Sequence, residues 1–168
     1  IALSHIPDQP GIAARLFETL SGAGINVDLI IQSTHEGSSN DITFTVAEAD
    51  LEAARRVSQT VLDSLGGELA AEGGMTKLSI SGAGIMGRPG IAAGLFHCLS
   101  QQGINLRLIA TSEVKVSCVI DADSGRKALQ AVQEAFDVAD AQVELNPDLS
   151  SSDEPEVRGV ALDRDQAQ

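Results

Sequence analysis

Apolar residues recur along this chain with two spacings, one typical of helices and one typical of strands. From Gly11 to Ala23 they follow the spacing of one helix face, which predicts an amphipathic helix. These apolar residues are Ile12, Leu16, Phe17 and Leu20. From Ile42 to Val46 apolar and polar residues alternate, which predicts a strand with one buried face.

The same patterns predict the other elements at the start of the chain. Further strands are expected at Ile1–Ile6, Val27–Ser33 and, weakly, Glu68–Ala71, with a turn at Glu36–Asp41. A second helix is expected to begin at Asp50, with its side chain as the cap, and to end at Gly66-Gly67. Its apolar stripe consists of Leu51, Ala54, Val57 and Val61.

A long stretch of the chain is duplicated. Residues 10–26 read PGIAARLFETLSGAGIN, and residues 89–105 read PGIAAGLFHCLSQQGIN. With an offset of 79 residues, 15 of the 24 positions from 10 to 33 are identical. One module of about 75 residues therefore occurs twice, because self-similarity at a fixed offset is the signature of a repeated structural unit.

The second module repeats the order of elements of the first. Its predicted strands are Lys77–Ser81, Leu106–Thr111, Val116–Ile120 and Gln142–Leu145, and its helices are Gly90–Gln102 and Arg126–Phe136, with a turn at Asp121–Gly125. The order βαββαβ, found twice, predicts an α+β chain with two ferredoxin-like domains. We expect these domains at residues 1–72 and 73–147, followed by a linker and a strand-like segment at 148–168.

Composition narrows the classes of function. The chain has 24 acidic and 11 basic residues, a net charge of −13, whereas nucleic-acid binding normally needs clustered Lys and Arg. No apolar run approaches the roughly 18 residues of a membrane span. Cys98 and Cys118 show no CxxC spacing, so we expect two reduced thiols in a cytoplasmic protein. The first residue is Ile rather than Met, which predicts a fragment or a processed product.

Residues 82–87 read GAGIMG and satisfy the G-x-G-x-x-G pattern of dinucleotide-binding proteins. The strand that follows the next helix leads into another strand, so this is not the βαβ unit that the fingerprint requires. The equivalent turn of the first module, residues 5–10, has no glycine. The pattern therefore predicts a glycine-rich turn, with dinucleotide binding as an alternative that an NAD(P)H titration would detect.

The turn before the first helix has chemistry suited to a free amino acid. Free N–H groups at a helix start bind a carboxylate, and Gly11 allows close approach to the backbone. Asp8 could meet an ammonium group. Spacing alone equally fits a plain strand-to-helix turn.

The sequence gives little support for a metal site or for a known catalytic or nucleotide-binding motif. His5, His35 and His97 fall in different predicted elements, which argues against a metal cluster. The sequence has no G-x-S-x-G and no Walker A loop. Asp121 and Asp123 lie in a predicted hairpin turn, where Asp is common for backbone reasons.

These motifs together resemble the paired ACT domains of aspartate kinases. In the first module they are D-Q-P-G-I-A-A at 8–14, G-I-N-V-D-L-I-I-Q-S at 24–33 and D-I-T-F-T-V at 41–46. In the second they are P-G-I-A-A at 89–93, T-S-E at 111–113 and V-K-V-S-C-V-I at 114–120. The resemblance covers residues 1–147 and favours aspartate kinase over another amino-acid pathway enzyme because of the T-S-E step.

The resemblance implies feedback regulation of amino-acid biosynthesis. Lysine, threonine or both would bind between paired ACT domains, within a chain or between the chains of a homodimer, and inhibit the parent enzyme. That enzyme phosphorylates the β-carboxylate of aspartate with ATP and Mg²⁺. Its catalytic domain is absent from this sequence, so we expect no catalytic residue, metal or cofactor here. A bare dimerisation module is a further alternative.

Two pseudo-symmetric effector sites follow from the resemblance. The first consists of Asp8, Gly11, Ile12, Ala13, Gln32, Asn105 and Leu106. Its carboxylate would be bound by the N–H groups of Ile12 and Ala13, and its polar end would be oriented by Gln32 and Asn105. The second consists of Arg88, Gly90, Ile91, Ala92, Thr111, Ser112, Glu113, Asn26 and Val27.

The second site departs from the family pattern. Family members often carry His before the second Pro-Gly, where Gly87-Arg88 stands here, and Asp8 has no counterpart in this module. The ligand of the second site therefore stays open. Residues 157–168 resemble the segment that precedes the first ACT strand, which implies either a longer chain with further ACT units or a rearranged chain.

Overall fold

The structure, a computed structural model, describes residues 1–35, 39–82, 90–136 and 142–146. These residues fall into two units that divide between Thr76 and Lys77. Each unit is a four-stranded sheet with two helices.

The first unit has the predicted order of elements. These are β1 (Ala2–Pro7), α1 (Ile12–Gly22), β2 (Ile30–His35), β3 (Ser39–Phe44), α2 (Leu51–Leu65) and β4 (Glu68–Ala70). The strands lie in the order β2-β3-β1-β4, and β1 pairs antiparallel with both β3 and β4. The strand β2 therefore forms one edge of the sheet, beside β3.

The second unit repeats this topology. Its elements are β5 (Met75–Ser81), α3 (Ile91–Gln101), β6 (Leu108–Thr111), β7 (Lys115–Asp121), α4 (Gly125–Ala135) and β8 (Gln142–Asn146). The strand order is β6-β7-β5-β8, with β6 antiparallel to β7 and β5 antiparallel to β8. The predicted pair of ferredoxin-like α+β domains is confirmed.

Each core lies between the sheet and its helices. In β3 the alternate residues Asn40, Ile42 and Phe44 are buried, and the residues between them are partly exposed. Leu16 and Leu20 of α1 are fully buried in the same core. Burial of each such apolar side chain contributes about 1.5–3 kcal/mol. Because Leu16 and Leu20 of α1 pack on the buried face of the sheet, this burial holds the helix against the sheet.

The strands at the two sheet edges begin later than predicted. β2 starts at Ile30 rather than Val27, and β6 starts at Leu108 rather than Leu106. Two backbone hydrogen bonds to Thr45 hold the segment before β2. The Asp28 N–H donates to the Thr45 carbonyl at 3.1 Å, and the Thr45 N–H donates to the Leu29 carbonyl at 3.0 Å. Thr45 follows the end of β3, so these bonds lie outside the regular ladder.

Two predictions around polar residues were wrong. Residues 39–41 are predicted in a turn but belong to β3, where Asn40 bonds to Asp8 in the β1–α1 turn and Asp41 bonds to the backbone of His5 on β1; residues 36–38 lie outside the described part. Asp50 precedes α2, but its side chain makes no capping hydrogen bond. A short 3₁₀ turn at Glu48–Asp50 leads into the helix instead.

Candidate functional site

A pocket of about 310 Å³ opens at the start of α1 in the first unit. Its walls are the β1–α1 turn with its flanking residues, 6–13, and three side chains from the neighbouring strands, Gln32, Asn40 and Ile42. Five residues of the first predicted effector site line this pocket. They are Asp8, Gly11, Ile12, Ala13 and Gln32.

Backbone N–H groups form one end of the pocket. Gly11 precedes α1 with φ +94°, and no side chain caps the helix. The first bond of the helix runs from the Arg15 N–H to the Gly11 carbonyl at 2.9 Å, and the Ile12 N–H makes only a long bond of 3.4 Å to Gln9. The first turn of a helix has N–H groups without intrahelical acceptors and a partial positive charge, so this end suits a carboxylate.

A carboxylate and an amide lie side by side in the same pocket. The Asn40 Nδ2 donates a hydrogen bond to Asp8 Oδ1 at 2.8 Å. Asn40 is only 4% exposed, whereas Asp8 is exposed. The Oδ1 of Asn40 has no hydrogen-bond partner among the residues that the structure describes. The pocket therefore combines N–H donors with oxygen acceptors, as an α-amino acid requires.

The sequence does not indicate that Asn40 lines this pocket, because its neighbourhood predicts a turn. Its position two residues before Ile42 and four before Phe44 places it on the same face of β3. That spacing was visible in the sequence, but Asn and Asp are common in turns. What the spacing could not show is that Asp8 lies within hydrogen-bond distance of Asn40.

The remaining residues of the first predicted site belong to the second unit. Asn105 is exposed and Leu106 half-buried, and both lie between α3 and β6. Their role in binding stays a prediction.

The second predicted site has a similar helix start. Gly90 precedes α3 with φ +96°, and Ile91 and Ala92 form its first turn. Thr111 ends β6, and Ser112 and Glu113 lie in the turn before β7. In that turn the Ser112 N–H donates to the Lys115 carbonyl at 2.8 Å.

Other residues of the second site lie elsewhere or outside the described ranges. Asn26 and Val27 are in the first unit, between α1 and β2. Arg88 and residues 83–87 of the glycine-rich motif are not described. In the sheet β7 lies between β5 and β6, so the helix α3 does not connect two adjacent strands as the βαβ unit of a dinucleotide fingerprint does.

Two histidines flank one carboxylate on the other face of the first sheet. The Asp41 Oδ2 pairs with His35 Nε2 at 2.8 Å, and its Oδ1 accepts a hydrogen bond from the backbone N–H of His5 at 3.0 Å. The bond from His35, and next the bond from His5, lower the pKa of Asp41 below its usual range. His5 and His35 are therefore closer together than their sequence positions indicated.

These three residues are not a metal site. No group of three or more His, Cys, Asp or Glu side chains within residues 1–35, 39–82, 90–136 and 142–146 is arranged to hold a metal ion.

The cysteines are not placed for chemistry. Cys98 on α3 and Cys118 on β7 are both unpaired, and Cys118 is buried. Burial raises the pKa of the Cys118 thiol to about 11 and also raises that of Cys98. A thiol is reactive as the thiolate, so neither residue is set up as a nucleophile near neutral pH.

In the described part of the chain, none of the helices has the length and apolar character needed to span a bilayer.

Comparisons with known proteins point to one family. A family model described as ACT domain matches residues 4–60 and 78–136. An aspartokinase of Thermus thermophilus is 40% identical over 140 residues, and an aspartate kinase of Pseudomonas fluorescens is 34% identical over 139 residues. Each match covers 82% of this chain and 35% or 34% of the relative. The chain thus spans about a third of the length of these curated relatives.

Solved structures show the same similarity. The ligand-free regulatory subunit of aspartate kinase from Thermus thermophilus matches with a TM-score of 0.74 and 40% identity, over 81% of this chain and 90% of that one. The aspartate kinase of Synechocystis matches with a TM-score of 0.77 and 44% identity, over 82% of this chain and 25% of that one.

Proposed function

This chain belongs to the ACT domain family as the tandem regulatory region of an aspartate kinase, and we propose that it senses a free amino acid. The effector is lysine, threonine or both, bound as the zwitterion in the pocket at the start of α1. Binding inhibits the parent enzyme, which makes the chain a feedback sensor in amino-acid biosynthesis.

The chemistry of the pocket carries this proposal. An α-amino acid presents a carboxylate and an ammonium group a few ångströms apart. The helix start provides N–H donors for the carboxylate, while the carboxylate of Asp8 provides oxygen acceptors for an ammonium in the same pocket. A volume of about 310 Å³ lies at the lower end of the range of small-molecule pockets, about 300–1,000 Å³.

Catalysis is assigned to the parent protein rather than to this chain. In this proposal the parent transfers phosphate from ATP to the β-carboxylate of aspartate, and its catalytic part binds ATP and Mg²⁺. The effector acts by binding one global state of that enzyme more tightly than the other, because a ligand with equal affinity for both states shifts no equilibrium.

The sheet edges favour pairing of ACT domains, most simply in a homodimer. Ile30 on β2 and Ile109 on β6 occupy the same position of the two modules and are 52% and 41% exposed. Both lie on edge strands, which present unpaired backbone groups to a partner strand.

Thermal unfolding of the chain with candidate amino acids tests the proposed function. L-lysine, L-threonine, both together and L-alanine are each added in excess. A ligand that binds only the folded state stabilises it by about 2.7 kcal/mol at 100 times its Kd, so lysine or threonine should raise the Tm and alanine should not. Equal Tm values in all four conditions would contradict binding by this chain.

A further inference from the structure

We propose that Asn40 determines which ligands the α1 pocket accepts, by using its buried Oδ1 together with the Asp8 carboxylate to bind an ammonium group of the amino acid. This inference rests on the proposed function and adds a residue that selects for the ammonium group.

The orientation of the Asn40 amide follows from its partner. A carboxylate only accepts hydrogen bonds, so the amide must present its N–H to Asp8. The amide oxygen is therefore the atom left without a partner in the described structure. Reversing the amide would bring two acceptor oxygens together.

A free acceptor at this depth favours a ligand that donates. Asn40 is 4% exposed, and a buried polar atom without a hydrogen bond is unfavourable. The Asn40 side chain lines the pocket, so a ligand that shifts it slightly can donate to Oδ1 and remove this cost, whereas an apolar ligand group would keep it. The neighbouring carboxylate of Asp8 adds a negative charge, so a cationic donor is preferred over a neutral one.

The equivalent position of the second unit carries no acceptor side chain. Gln32 pairs with Ile42 across β2 and β3, and Thr111, its repeat counterpart, pairs with Val116 across β6 and β7. Val114 therefore occupies the position that Asn40 occupies in the first unit. Val114 is 55% exposed and has no polar side-chain atom. The ammonium preference is thus assigned to the pocket of the first unit.

Binding measurements on the whole chain test this assignment. Calorimetry gives the Kd of L-lysine, of L-norleucine, which lacks the side-chain ammonium, and of 6-aminohexanoate, which lacks the α-ammonium. L-threonine is compared with its analogue carrying a hydroxyl in place of the α-ammonium. The analogue that binds poorly shows which ammonium contacts Asn40. In the wild-type chain, loss of that ammonium should weaken binding about ten- to hundredfold.

Two substitutions at position 40 separate recognition from folding. Asn40→Leu removes this acceptor and leaves the Asp8 carboxylate, so the preference for the ammonium should fall about fivefold while the unliganded chain keeps its Tm. Asn40→Asp keeps an acceptor, so the preference should persist, although two facing carboxylates lower the Tm. Val114→Ala is the matched control and should retain the wild-type preference.

The outcomes distinguish this inference from the proposed function. An equal preference in wild type and Asn40→Leu would overturn the role of Asn40 while leaving the sensor function intact. Should Asn40→Leu not fold, loss of the preference in folded Asn40→Asp would overturn it. If the wild-type chain binds no amino acid, both proposals fail.

Discussion

Two neighbouring residues on opposite faces of the first sheet, Asn40 and Asp41, make different contacts. Asn40 points to the helix side and reaches Asp8, whereas its neighbour Asp41 lies on the opposite face and pairs with His35 and the backbone of His5. Asp41 thus links β1, β2 and β3 at the end of the sheet that carries the pocket. Its contribution to stability depends on its charge.

Asp41→Asn should lower the Tm at pH 7 and have little effect in acid. The pKa of Asp41 is lowered in the folded chain, so the folded state favours the ionised carboxylate. The resulting stability is present above the unfolded-state pKa of about 3.9 and is lost as the pH falls through the lower folded value. Thermal unfolding from pH 7 to pH 2.5 measures this.

Glu18→Gln, an exposed position on α1, is the control for loss of one negative charge. A constant difference in Tm between Asp41→Asn and wild type at every pH would show that the ionised carboxylate is not the stabilising group.

At the scale of elements, the start of α1 combines a structural constraint with the binding site. Gly11 has φ +94°, and nothing lies within 4 Å of where a Cβ would be. The positive φ, rather than a lack of space for a side chain, therefore favours glycine at position 11. The same conformation recurs at Gly90 before α3, so the repeat preserves the turn as well as the helix.

Gly11→Ala should reduce the free energy of unfolding by about 1–2 kcal/mol, because an L-residue is strained in the left-handed region. Urea-induced unfolding measures the change. The matched control is Gly22→Ala at the end of α1, where the backbone is helical and space is also open. That change should stabilise the chain by up to about 1 kcal/mol. Equal effects of the two substitutions would show that the positive φ at Gly11 is not retained in solution.

For the whole molecule, the apolar residues at the sheet edges favour self-association, whereas the net charge opposes it. The chain carries a net charge of −13, and like charges resist association unless salt screens them. Ile30 and Ile109 provide apolar surface on edge strands. We therefore expect self-association to strengthen with ionic strength.

Ile30→Lys and Ile109→Lys should each weaken this association about tenfold or more, because an apolar contact worth about 1.5–3 kcal/mol is lost. Sedimentation velocity over a concentration series gives the dimer Kd. Gln133→Lys, at an exposed position of α4, adds the same charge away from the edges and should not weaken pairing. A chain that is monomeric throughout, or that pairs equally tightly with lysine at position 30 or 109, would contradict pairing through these edges.

The sequence by itself determined the fold class, the repeat and the helix starts. Ile42 and Phe44 alternate with polar residues, and Leu16 and Leu20 follow helical spacing, so local periodicity was enough to predict strand and helix. The glycines at positions 11 and 90 marked both helix starts. Five residues that the resemblance assigns to the first effector site line one pocket in the structure, and their role in binding stays a prediction.

Only the tertiary structure decided which polar residues meet. The contact between Asp8 and Asn40 joins residues 32 positions apart, and that between His5 and Asp41 joins residues 36 apart. Such pairs depend on the order and register of strands, here β2-β3-β1-β4 with a bulge in β1. Periodicity gives the face of a residue but not its cross-strand partner, because one slip in register changes every partner along a strand.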